Sequence, residues 1–326
     1  MKRVLLLFAS FIFISVIGCA TKPTATQIDR SLLLSIKSAQ EQAVLVGGDI
    51  WPKYADGPFG LLVTLEDREV LFCHGSIANG FSTLPPDTVT GCDLQERGDV
   101  FPKYLLAAMP VINGTSTIVM GTPQSTGRDE PSWIRIIFHE NFHQYQSTFD
   151  DYYKRLEGLN LSNGDSTGMW MLNYPFPYED DNFSAAFSTA ANQLHKTITQ
   201  PGASIQQHVS IYLSTRQKLE SSVSVNDWKY LELQLWAEGV ARWTEIEIAT
   251  RSPDRKVVES GDSLRRRTIS SLLALDAVKS GREIVYPYGA TEAMLLERCT
   301  STWRQNYPGV MSLGALVKET DPSRCH

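Results

Sequence analysis

The chain has 326 residues, 42% of them hydrophobic and 20% charged, and a formal net charge of -6. This balance excludes a disordered or fibrous polypeptide and leaves enough chain for one large domain or two lobes around a shared cleft. It also excludes an electrostatic nucleic-acid binder, which needs a dense basic face; the one tight basic run, Arg265-Arg266-Arg267, reads as a solvated helix face.

The N-terminus is basic (Met1-Lys2-Arg3), and the apolar stretch from Val4 to Ile17 is too short for a comfortable membrane span, so residues 1–18 read as a signal peptide. Val16-Ile17-Gly18-Cys19 resembles the bacterial lipobox, with a small residue directly before the cysteine and an aliphatic one three before it. That resemblance implies cleavage before Cys19, lipidation of Cys19 and anchoring in the bacterial cell envelope, with residues 19–26 as a lipidated tether. Ala20 rather than an acid after the cysteine implies the outer membrane, facing the periplasm. Cys73, Cys92, Cys299 and Cys325 are then an even set in an exported chain, which suggests two disulfides. The sequence-local pairs, Cys73 with Cys92 and Cys299 with Cys325, ask least of the fold; free thiols or a thiolate metal site are less favoured because no C-x-x-C spacing occurs.

From Gln27 to about Val44, Ile28, Leu32, Leu33, Ile36, Ala39 and Ala43 recur at helical spacing, and Gly47-Gly48 is expected to stop the helix. Short apolar runs follow at 61–64, 69–72 and 116–120, read as strands of one sheet, with Glu66-Asp67 suited to a hairpin turn between the first two. Asp129-Glu130-Pro131 supplies an N-cap, a first-turn acid and a proline where its missing N–H costs nothing, so a helix is predicted from there to about Gln146. Residues 158–182 read as an irregular loop packed by its own side chains. Helices are predicted at about 184–197, 204–221, 227–250, 263–279 and 289–304. The pattern is an α+β chain: an N-terminal α/β lobe over 27–150 with a small mixed or antiparallel sheet, and a mostly helical lobe over 151–326.

His139-Glu140-Asn141-Phe142-His143 lies inside the predicted 129–146 helix. Residues four apart share a helix face, so both imidazoles can reach one metal ion while Glu140 projects beside them toward a water molecule. Ile136, Ile137, Phe138, Phe142 and Tyr145 mark this as a buried helix, where two histidines and a carboxylate cost several kcal/mol (of order 2–7 each) unless paired or metal-bound.

Trp236-Ala237-Glu238-Gly239-Val240-Ala241 resembles the W-x-x-E-G-x-A-like segment of the membrane-alanyl-aminopeptidase family, with one residue fewer between Trp and Glu. The two segments together resemble the gluzincin branch of the H-E-x-x-H zincins over some twenty residues (roughly two helix segments) and in the strand-before-helix order. The resemblance implies a zincin-like fold and a Zn2+ held by His139, His143 and Glu238, with Glu140 as general base in hydrolysis of a peptide or protein substrate. Glu238 lies much farther downstream of His143 than the family's glutamate does, so Glu232, Glu245 and Glu247 are reserve ligands. The same resemblance implies a tyrosine or histidine as oxyanion stabiliser, with Tyr288 the first candidate and Tyr286 next, and makes the strand Ser116–Met120 the sheet edge on which substrate lies. Gly239 within a helix asks for a packing reason, and the small residues flanking Glu238 are expected to let its helix approach the H-E-x-x-H helix closely. Arg242, one turn later, is suited to pairing with a carboxylate or orienting a ligand; His195 and His208 read as structural histidines on amphipathic helices. The competing readings are a catalytically silent zincin-fold lipoprotein acting as a binding or scaffold protein, and a zinc hydrolase of a non-peptide amide.

Overall fold

A computed structural model describes residues 28–165, 167–200, 205–300 and 302–325, so the signal peptide, Cys19 and the tether lie outside the described residues. The chain is an α+β fold with one six-stranded mixed sheet and a predominantly helical C-terminal region. None of the described helices is long and apolar enough to cross a membrane.

The first helix, α1 (Arg30–Gln42), is capped by Asp29, whose carboxylate accepts the Ser31 N–H. It does not stop at Gly47-Gly48 as expected. A wide π turn over Ala43–Gly47 carries it on to Ile50, and Gly47 serves close packing, because a Cβ there would stand 2.6 Å from the Tyr54 ring.

The sheet is formed by β1 (Leu61–Thr64), β2 (Glu69–Phe72), β3 (Ser82–Leu84), β4 (Leu94–Arg97), β5 (Leu106–Ile112) and β6 (Thr115–Gly121) in the order β3-β4-β2-β1-β6-β5. The β1–β2 hairpin turns at Glu66-Asp67 as read from sequence, closed by the Leu65 N–H donating to the Arg68 carbonyl. β1 and β6 are parallel, with Leu62 opposite Val119, and the remaining pairs are antiparallel. The expectation for Ser116–Met120 needs correction: β6 is interior, paired on both sides, and β5 is the edge. β5 escapes a sequence reading because it contains Pro110, which cannot donate to a ladder and is tolerated at an edge; the register shifts between Met109 and Ile112.

The helix α2 (Glu130–Gln146) begins where the sequence places it, with Asp129 accepting the Ser132 N–H and Pro131 in the first turn. It packs against the sheet through fully buried Ile137 and Phe138, and Trp133 donates its indole N–H to the Gly121 carbonyl. Gln144 is a buried brace whose amide donates to the carbonyls of Gly60 and Ser116, at the start of the two central strands.

The chain then leaves for an antiparallel helix pair, α3 (Asp181–Thr199) and α4 (Ile205–Glu220), and returns along α5 (Val225–Gln234), a π turn at Leu235–Gly239 and α6 (Val240–Thr250). The Met169–Tyr178 segment packs less on itself than on this returning helix: Tyr174 stacks on Tyr230 at 4.2 Å, and Phe176 meets Phe183 of α3. Two more helices follow, α7 (Arg255–Ser271) and α8 (Val285–Cys299). Both start earlier than the sequence reading placed them, because Asp254 caps α7 and Pro287 occupies the first turn of α8. The disulfides are the sequence-local pairs, Cys73–Cys92 and Cys299–Cys325.

An aromatic cluster fastens α2 to α6. Trp51, fully buried, lies 5.1 Å from the Phe142 ring and 5.7 Å from that of Trp243, and its indole N–H donates to Thr244. This clamp sets the H-E-x-x-H helix against the helix that carries Glu238.

Candidate metal centre

His139 and His143, one turn apart on α2, turn their Nε2 atoms toward one another at 3.2 Å. Glu238 reaches the same point from a position 99 residues downstream of His139, with Oε2 at 3.3 Å from each Nε2. The π turn that carries Glu238 widens the helix by one residue, a deviation often found at functional sites. Gly239 explains how close the backbones come, although its neighbour is α8 and not α2 as the sequence suggested: a Cβ on Gly239 would lie 2.5 Å from the Gly289 Cα.

The protonation of the three groups decides what they can hold. Gln146 donates its amide to the Tyr307 hydroxyl and Ala237 carbonyl, so its Oε1 is the acceptor facing His143 Nδ1 at 2.7 Å, and that nitrogen carries the proton. His143 Nε2 then offers a lone pair. His139 Nδ1 likewise faces a carboxylate, Glu245 Oε2, at 3.5 Å. With His139 neutral, two imidazole lone pairs and a carboxylate oxygen converge with no donor among them, which is unfavourable unless a cation or an added proton sits between. A tetrahedral zinc site with bonds of about 2.0–2.1 Å has ligand–ligand edges of roughly 3.3–3.4 Å. The 3.2 Å and 3.3 Å separations of the three atoms match that edge. The donor set of two nitrogens and one oxygen fits such an ion, and His139, His143 and Glu238 are the three groups near enough to share one.

Around the cluster stands a second ring of charge. Arg282 donates from Nη2 to Glu238 Oε1 at 2.5 Å, from Nε to Gln234 Oε1 and from Nη1 to the Tyr286 hydroxyl. Burial opposes ionisation of Glu238, yet His143, His139 and Arg282 hold its carboxyl well below the usual carboxylate range. Glu245 is also charged: burial is outweighed by Arg242 and Arg135, which bring it to about 2. Arg135, on the buried face of α2, hydrogen-bonds Glu245. In the metal-free chain a proton takes the cation's place: burial disfavours charge on His139, but hydrogen bonds to Glu238 and Glu245 raise its pKa to about 9.

Glu140 lies beside the cluster, and its Oε2 accepts the Ala108 N–H of β5 at 2.7 Å, tying the carboxylate to the sheet edge. His139 is buried, whereas His143 and Glu238 are partly exposed, at 19% and 17%.

The reserve acids are engaged elsewhere. Glu232 pairs with buried Arg216, Glu247 with Arg251 and Arg265, and Glu245 stands at His139 Nδ1 and not at the Nε2 that faces His143 and Glu238. Tyr288 does not reach the cluster: it is fully buried and hydrogen-bonded to Tyr212 in the network around Arg216 and Glu292. Because α8 starts at Val285, residues 286 and 288 point to different sides of the helix, and Tyr286 faces the His139–His143–Glu238 cluster, its ring 5.9 Å from that of His139. Burial, followed by the Glu238 charge, keeps the Tyr286 hydroxyl protonated. His208 meets Gln193 across the α3–α4 pair, a structural contact. Sequence reasoning missed Arg282, Gln146 and Arg135. The last two were detectable as polar residues one turn from a histidine inside a buried helix, whereas Arg282 carries no local signal.

Comparison with family models, with curated proteins and with solved structures returns no match for the chain.

Proposed function

We propose that the chain is a zinc-dependent peptidase of zincin-like fold, anchored in the bacterial envelope through a lipidated Cys19. The observation that carries this reading is the convergence of three acceptors, His139 Nε2, His143 Nε2 and Glu238 Oε2, at the mutual spacing of a tetrahedral site. Such a cluster needs a positive charge among its members, either a bound cation or a proton on His139.

Zinc bound there supplies Lewis acidity to a scissile carbonyl and acidifies water at the site. Glu140 accepts the proton of the attacking water and passes it to the leaving nitrogen. Its hydrogen bond to Ala108 fixes which way the carboxylate faces and places the edge of β5 alongside it. A peptide extended along that open edge would add a strand, so backbone hydrogen bonds align the scissile bond with the base. Tyr286 donates its hydroxyl proton in a hydrogen bond to the developing oxyanion, and Arg282 orients that hydroxyl from the other side.

Metal analysis of the purified protein tests the reading. It requires stoichiometric zinc in the wild type, loss of zinc in His143→Ala and in Glu238→Ala, and a Glu140→Gln variant that keeps zinc but no longer cleaves a peptide library. Retention of zinc by Glu238→Ala, or an active Glu140→Gln variant, contradicts it.

A further inference from the structure

Three guanidinium groups stand around the cluster, and two are held by hydrogen bonds. Arg135 hydrogen-bonds Glu245 and Ser260, and Arg282 hydrogen-bonds Glu238, Gln234 and Tyr286. Arg242 is different. Its Nε lies 3.1 Å from Glu245 Oε2 but makes no hydrogen bond, and its terminal nitrogens have no hydrogen-bond partner among the described residues. The guanidinium lies over the Tyr286 ring, 5.2 Å from its centroid, and the side chain is 27% exposed.

Charge points the same way. The three arginines face Glu140, Glu238, Glu245 and, beside Tyr286, Glu283, so a bound dication would leave the largely buried site with net positive charge. Such a site favours a substrate that brings negative charge with it, and a planar guanidinium with free N–H groups matches a carboxylate in a two-pronged geometry. Arg242 projects one helical turn beyond Glu238, on the side where Tyr286 stands.

We propose that Arg242 is a specificity-determining residue that binds a substrate carboxylate close to the scissile bond. The inference rests on the peptidase reading above and adds the substrate class: peptides with a free C-terminus or an acidic side chain near the cleavage point. A C-terminal carboxylate makes the enzyme an exopeptidase, and an acidic side chain gives it an acid-directed endopeptidase preference.

Binding without turnover tests this. Zinc-loaded Glu140→Gln protein is titrated against a fluorescein-labelled tetra-alanine peptide as the free acid, as the C-terminal amide, and as the amide with glutamate in the last position. Anisotropy is expected to show about tenfold tighter binding of one or both carboxylate peptides than of the plain amide. The preference should shrink to about twofold or less when Arg242→Met is added, a change that keeps the side-chain stem on Tyr286, and should return in part with Arg242→Lys. Equal zinc content and circular dichroism establish that the variants are folded. Equal binding of acid and amide peptides, a preference that survives Arg242→Met, or no binding of any peptide overturns the proposal. If zinc stays bound and the wild type cleaves peptides while the preference is missing, the peptidase reading stands and only the role of Arg242 falls.

Discussion

Arg282 Nη2 stands 2.5 Å from Glu238 Oε1, so the two oxygens of Glu238 have separate duties: one is held by the guanidinium, and the other faces both imidazoles at 3.3 Å. A carboxylate divided in this way is held in one orientation and, on the proposed reading, would bind the metal through a single oxygen.

Removing that support should weaken zinc binding while leaving every ligand in place. Arg282→Ala is expected to lower zinc affinity by about 10–100-fold in a chelator competition, and Arg282→Lys to recover part of the loss. Unchanged affinity in Arg282→Ala would show that Glu238 is positioned by its helix alone.

On the proposed reading, zinc and a proton compete for the same place. His139 has a pKa of about 9 in the folded metal-free chain against 6.5 for the free side chain. Since the folded value is the higher one, the stabilisation it brings is complete below pH 6.5 and is lost as pH rises through about 9. At pH 7 zinc uptake should therefore release about one proton, and zinc affinity should climb with pH until about 9. Calorimetry in buffers of different ionisation enthalpy measures the proton count; zero release would mean that His139 is already neutral.

The two tyrosines two residues apart on α8 should separate by kind of effect. Tyr286→Phe is expected to lower kcat by about 100-fold with KM little changed. Tyr288→Phe should leave kcat close to wild type and reduce stability by about 1 kcal/mol, since it deletes only a buried hydrogen bond to Tyr212. The reverse pattern in steady-state kinetics and urea unfolding would reassign the oxyanion donor.

Backbone contact between Gly239 and Gly289 sets the depth of the cluster. A methyl group at Gly239 meets the Gly289 Cα at 2.5 Å, and backbone atoms cannot rotate away. Gly239→Ala is expected to destabilise the metal-free protein by about 3 kcal/mol in urea unfolding and to weaken zinc binding by displacing Glu238. A variant with wild-type stability would mean that α6 and α8 separate at little cost.

What the sequence settled on its own was local. The 129–146 helix, its Asp129 cap, the shared face of His139 and His143 and the Glu66-Asp67 hairpin depend on residues within a few turns of each other, and the nearest-neighbour disulfides on cysteines 19 and 26 residues apart. Which acid joins the histidines was decided by tertiary structure. Glu232, Glu238, Glu245 and Glu247 all lie in one helical stretch, and only the Trp51 clamp, the π turn and the Gly239–Gly289 contact bring one of them to the right point. The same holds for Tyr286 over Tyr288, for β5 over β6 as the open edge, and for the hold of Arg282 on Glu238. Periodicity states which residues share a face; which face meets which neighbour follows from packing between segments far apart in the chain.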